Sequence, residues 1–173
     1  MSRLLLVEKN TFIRDSLRQI LQARFPSLII REVANDGTYL GAMEDFRPDI
    51  LILGIEDSED KGFKSLQHIR DRFPFTVIVL FTTYEVEEYR RDAILRGANH
   101  IISKELWTGN EILALVKTIL ATKESWDRKY AEDFIFDTAE NLRRPLERRK
   151  KDRNRSIRER NYLAYNPDRR QQG

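Results

Sequence analysis

Four short apolar runs in this chain end beside residues that could carry charge chemistry, and one of those ends is empty. Leu4–Val7 is followed directly by Glu8, Val77-Ile78-Val79-Leu80 leads to Thr82, and His100-Ile101-Ile102 leads to Lys104. A carboxylate, a hydroxyl and an ammonium group are thereby set to converge on one sheet edge. The fourth run, Asp49-Ile50-Leu51-Ile52-Leu53, ends at Gly54, which offers no side chain at all. In a doubly wound sheet the carboxyl ends of the strands are where ligands and chemistry sit. The sequence around Gly54 therefore prepares a place for a functional group and leaves it bare.

The elements that must position these residues follow from periodicity. Continuous apolar runs such as Leu4–Val7 read as strands buried on both faces. Leu28–Val33, Ile50–Leu53, Val77–Leu80 and His100–Ile102 supply the other strands. Between them, inward-facing residues recur at helical spacing: Ile13, Leu17, Ile20 and Leu21; Leu40, Met43 and Phe46; Phe63, Leu66 and Ile69; Val86, Tyr89 or Arg90, and Ala93; Ile112, Val116 and Ile119. Asn10 is placed to cap the first helix, Pro48 to stop the second, and Gly97 to end a fourth over Glu85–Arg96. Gly62, eight residues past Gly54, opens the third, and Thr108-Gly109-Asn110-Glu111 reads as a capping box for the fifth. Strict alternation with short links implies a five-stranded parallel sheet covered on both sides. The expected class is α/β, flavodoxin-like and doubly wound.

Composition narrows the function further. The 173 residues contain no cysteine and two histidines, His68 and His100, so disulfides and thiolate metal sites are excluded and a zinc site is not expected. His68 reads as a surface residue and His100 as structural. No apolar run approaches the ~20 residues needed to span a bilayer, and the apolar start is too short for a signal peptide. A cytoplasmic protein without a membrane partner is expected. Residues 1–124 carry 17 Lys+Arg and 19 Asp+Glu, whereas residues 125–173 carry 14 and 9. The basic character thus belongs to the tail.

The order and spacing of these pieces resemble the receiver domain of two-component response regulators, a (β/α)5 fold, over residues 3 to about 122. Arg47-Pro48-Asp49, Gly62, Glu87-Glu88-Tyr89, Arg96-Gly97-Ala98 and Lys104 carry the resemblance. The likeness is greatest to receivers usually joined to a DNA-binding helix-turn-helix. It implies an aspartate at the end of strand three that takes a phosphoryl group from a histidine kinase. It also implies two acids after strand one that help hold a divalent metal, a Ser or Thr at strand four, and a Lys at strand five. The metal neutralises charge on the transferring phosphoryl group, and oxygen ligands suit it.

Mapped onto this chain, Glu8, Thr82 and Lys104 stand at retained receiver positions. Lys9 stands where the second acid belongs, Gly54 where the phosphoacceptor belongs, and Ile101 where receivers often keep an aromatic switch residue. A threonine at a strand end often only caps a loop, and a lone loop lysine is usually solvated; here ancestry explains both better. Without a carboxylate at Gly54 there is no nucleophile, and Lys9 places a cation at the metal cradle unless it pairs with Glu8. Lys104 then needs Glu8, Glu56 or water. No magnesium or other cofactor is expected. Glu56 and Asp57 are the alternatives as a displaced acceptor, or Glu56 as a charge mimic, although in-line transfer depends on ~Å positioning that a loop does not fix.

Beyond the receiver lie an aromatic helical extension at 123–141 and a basic tail at 142–173. Trp126, Tyr130 and Phe134 are spaced by four, forming a stripe that continues helix five and either docks on its own domain or meets a partner. Residues 142–160 hold ten Lys+Arg against three Asp+Glu, with Arg148, Arg149, Lys150, Lys151 and Arg153 at their centre. Such a run is most often solvated and disordered; as a nucleic-acid-binding arm it would grip phosphates and release them steeply with salt. The expected function is a degenerate receiver, not an enzyme, acting as a protein-interaction module in bacterial signalling. Its partner surface would include Val86, Tyr89, Ile101 and the aromatic stripe, with homodimerisation through helices four and five or the extension. The alternatives are a phosphorelay receiver using a displaced acid and a scaffold with a nucleic-acid-binding tail.

Overall fold

The computed structural model describes residues 1–34, 37–56, 60–84 and 86–140, with backbone alone for 60–64 and 128–140. Five strands form one sheet: β1 (Arg3–Val7), β2 (Ile29–Val33), β3 (Ile50–Ile55), β4 (Val77–Thr82) and β5 (His100–Ser103). All neighbours are parallel, in the order β2-β1-β3-β4-β5, with Leu5 opposite both Arg31 and Leu51. This is the flavodoxin-like order, whose switch point lies between β1 and β3. The helices are α1 (Thr11–Arg24), α2 (Tyr39–Phe46), α3 (Asp60–Arg72), α4 (Glu87–Leu95) and α5 (Gly109–Glu140).

The central strands are buried on both faces, which is why they read as unbroken apolar runs. Every residue of β3 and β4 is buried. On one face Leu5, Leu51 and Ile78 pack with Met43 and Phe46 of α2, Leu66 and Ile69 of α3 and Ala93 of α4. On the other, Leu17 and Leu21 of α1 are buried. Each such side chain contributes about 1.5–3 kcal/mol when removed from water.

Several boundaries move from their sequence reading. Gly54 is not the first loop residue: it pairs with Phe81 inside β3, because β4 itself runs on to Thr82. β2 starts at Ile29 rather than Leu28. α3 begins at Asp60, ahead of Gly62. α4 begins at Glu87, not Glu85, so Val86 takes the N-cap position and is 63% exposed instead of facing the core. Asn10 caps α1 as expected, accepting a 3.2 Å hydrogen bond from the Ile13 N–H, and Thr108 accepts one from the Glu111 N–H. Arg47 closes α2 in the left-handed region (φ 49°), and Pro48 beside it disfavours right-handed helical geometry there, so the helix ends.

The chain divides into two compact units, Met1–Ala114 and Leu115–Gly173. In the second, α5 continues without a break to Glu140, so the aromatic extension belongs to the same helix. Lys123 and Asp127 form an i,i+4 ion pair on it at 2.8 Å.

Candidate functional site

Three strand ends bring the predicted residues together. Glu8 leaves β1 with no exposed surface. Its backbone is tied on both sides: its N–H donates to the Val33 carbonyl at 3.2 Å and its carbonyl accepts from Arg14 Nη1 at 2.7 Å. Lys104 follows β5, and its N–H donates to the Thr82 carbonyl at 2.7 Å, which ties the lysine to the end of β4.

The side chains meet over Gly54. Glu8 Oε1 accepts from the Asn10 N–H at 2.8 Å, and Oε2 faces Lys104 Nζ at 2.8 Å. The lysine side chain is 5% exposed. The two charges meet off the ideal hydrogen-bonding direction, so the contact acts mainly through charge. Glu56 Oε1 lies 3.8 Å from the same Nζ, and its Oε2 lies 3.9 Å from Lys9 Nζ. Lys104 Nζ also stands 5.7 Å from the centroid of the Phe81 ring. A β-carbon built at position 54 would fall 2.1 Å from Glu8 Oε2 and 3.1 Å from the Val7 carbonyl oxygen.

Lys9 behaves differently from its sequence reading. It does not pair with Glu8 and does not sit in the pocket: its side chain is 74% exposed and lies 3.9 Å from Glu56. Successive side chains leaving a strand point to opposite sides, and Glu8 is the one held inward. Glu8 is engaged by Asn10 and Lys104, and Gly54 offers no side-chain donor. Among the described residues no group of three or more acidic or histidine side chains could hold a metal.

Thr82 is fully buried, and its Oγ1 accepts from the Tyr84 N–H at 3.1 Å. It also hydrogen-bonds Tyr89 of α4, which the apolar spacing places on the inward face but whose hydroxyl partner the spacing does not name. Burial pushes the Tyr89 phenol up, the Thr82 hydroxyl pulls it back, and nearby Tyr84 pushes it up again. The two tyrosine rings lie 5.3 Å apart at 36°. Tyr89 and Ile101 are only partly buried but pack on the core, so of the predicted partner residues in the sheet region Val86 is the exposed one. Trp126 is half-buried, whereas Tyr130 and Phe134 lie in the backbone-only part of α5. Asp57 and the basic residues Arg148, Arg149, Lys150, Lys151 and Arg153 lie outside the described residues.

A parallel five-stranded sheet with an acid, a threonine and a lysine at its carboxyl edge defines the receiver class. The chain belongs to the response regulator receiver domain family, whose pattern matches residues 4–117. It is similar to the DNA-binding transcriptional activator DevR/DosR of Mycobacterium tuberculosis, with 24% identity over 131 residues, 76% of this chain and 60% of that protein. Protein-glutamate methylesterase/protein-glutamine glutaminase 1 of Methanospirillum hungatei is 32% identical over 107 residues, 60% of this chain and 31% of that one. The chain spans about half the length of the curated relatives it matches. The crystal structure of the signal receiver domain of a DNA-binding response regulator (merR) from Colwellia psychrerythraea shares the fold, with a TM-score of 0.64 at 18% identity. That match covers 70% of this chain and 99% of the other.

Proposed function

We propose that this receiver works without phosphorylation, as a protein-interaction module in bacterial signalling. The observation that carries the reading is Gly54. It occupies the paired end of β3, where a phosphoacceptor would have to stand, and a carboxylate from another strand already covers it. Lys104, which would otherwise pair with an acceptor, is engaged by Glu8. No catalytic role follows for any of these groups, because none is both exposed and held in line for transfer.

Output then rests on contact surfaces. Val86, Ile94 and Leu95 are exposed apolar residues at the two ends of α4 and suit a protein partner, whether another protein or a second copy. Glu56 supports a second reading as a displaced acceptor, since its carboxylate is half-exposed and 3.8 Å from Lys104 Nζ. Incubating the full chain with a small phosphodonor and magnesium, read by intact mass, tests both. The unmodified mass is expected. A stable phosphoryl adduct would overturn the phosphorylation-independent reading, and its loss in Glu56→Gln would assign the acceptor.

A further inference from the structure

We infer that the acceptor carboxylate has been relocated rather than lost. Glu8 supplies from β1 the negative charge that a side chain on β3 would supply, and Gly54 is glycine because Glu8 needs its space. Three observations converge on this. Glu8 Oε2 lies where the first side-chain atom of residue 54 would be, at 2.1 Å. The same oxygen is the 2.8 Å partner of a lysine that is 5% exposed. The other oxygen is fixed by the Asn10 N–H at 2.8 Å, so the carboxylate is held from both ends and cannot simply swing aside.

The consequence is a coupling between two positions on different strands. A buried ammonium that loses its 2.8 Å carboxylate and keeps the half-exposed Glu56 at 3.8 Å is poorly compensated, so Glu8 is a positioning residue for Lys104. Lys104 in turn begins the turn that carries Leu106 and Trp107. The Trp107 ring packs edge-on against Phe81, the residue paired with Gly54, at 5.7 Å. In this arrangement the lysine stays engaged with an internal anion, with no added group required. The inference goes beyond the proposed function and stands whether or not the chain ever accepts a phosphoryl group.

A relocation makes a prediction that an ordinary buried ion pair does not: the charge can be moved back. Thermal unfolding of the full chain is measured for Glu8→Ala, Gly54→Asp and the double variant. Glu8→Ala is expected to lower the midpoint by on the order of 10 °C, because Lys104 is left with the more distant, half-exposed Glu56 carboxylate. Gly54→Asp alone is also expected to lower it, since the new side chain meets Glu8. The double variant is expected to be more stable than either single one, with Asp at position 54 taking over Lys104. Losses that merely add would overturn the inference. Should Glu8→Ala fail to fold, recovery of folded protein on adding Gly54→Asp is the same positive result, and failure of both variants to fold is the same refutation. Because the readout is stability, it is independent of the phosphodonor experiment.

Discussion

The extra methylene that separates glutamate from aspartate gives Glu8 the reach to lay its carboxylate over Gly54. That reach could not be read from the sequence. Residue types and order marked Glu8, Gly54, Thr82 and Lys104 as the site, but side-chain direction is settled by partners, here Asn10 and Lys104. For the same reason Lys9 was expected in the pocket and instead points to solvent. A second, partly buried group bears on pH. Burial pushes the His100 imidazole below its ordinary value near 6.5. The folded state keeps it neutral, whereas the unfolded chain takes up a proton as pH falls through ~6.5. The unfolded state then binds more protons, and stability declines from that pH down to the lower folded value. Urea midpoints measured at about pH 7.5 and about pH 5.5 should therefore fall more for the natural chain than for His100→Gln.

At the scale of elements, the strands were legible because burial on both faces leaves an unbroken apolar signature. Their ends were less so. The third apolar run reads as ending at Gly54, but β4 runs on beside it, and pairing rather than propensity extends the strand to Ile55. In α4 the two-residue shift of the start turned Val86 outward, while Tyr89 kept the inward side its spacing implies and hydrogen-bonds Thr82. The junction after α4 shows how tightly one element is fastened. Gly97 has φ 114°, and a β-carbon there would fall 2.7 Å from the Arg70 side chain. Arg70 Nη2 donates to the Gly97 carbonyl and to Asn99 Oδ1, both at 2.7 Å, while Asn99 Oδ1 also accepts from the Ile78 N–H. Gly97→Ala combines backbone strain with displacement of this clamp. It is expected to cost about 1–3 kcal/mol in urea unfolding.

Over the whole molecule, charge and chemistry are separated along the chain. Residues 1–124 carry a net charge of −2 and residues 125–173 a net charge of +5. Composition revealed this division, and the family match to residues 4–117 falls within the first part. No helix among the described residues is long and apolar enough to cross a membrane. The receiver fold has kept its sheet, its threonine and its lysine, while the acceptor position has become space for a carboxylate from the neighbouring strand. On the function proposed above, this pocket needs no phosphoryl–metal pair. Amide resonances of Gly54, Thr82 and Lys104 in the full chain, recorded before and after adding excess magnesium and beryllofluoride as a phosphoryl mimic, test this most directly. Unchanged positions for all three are predicted; a saturable shift of these resonances would contradict it.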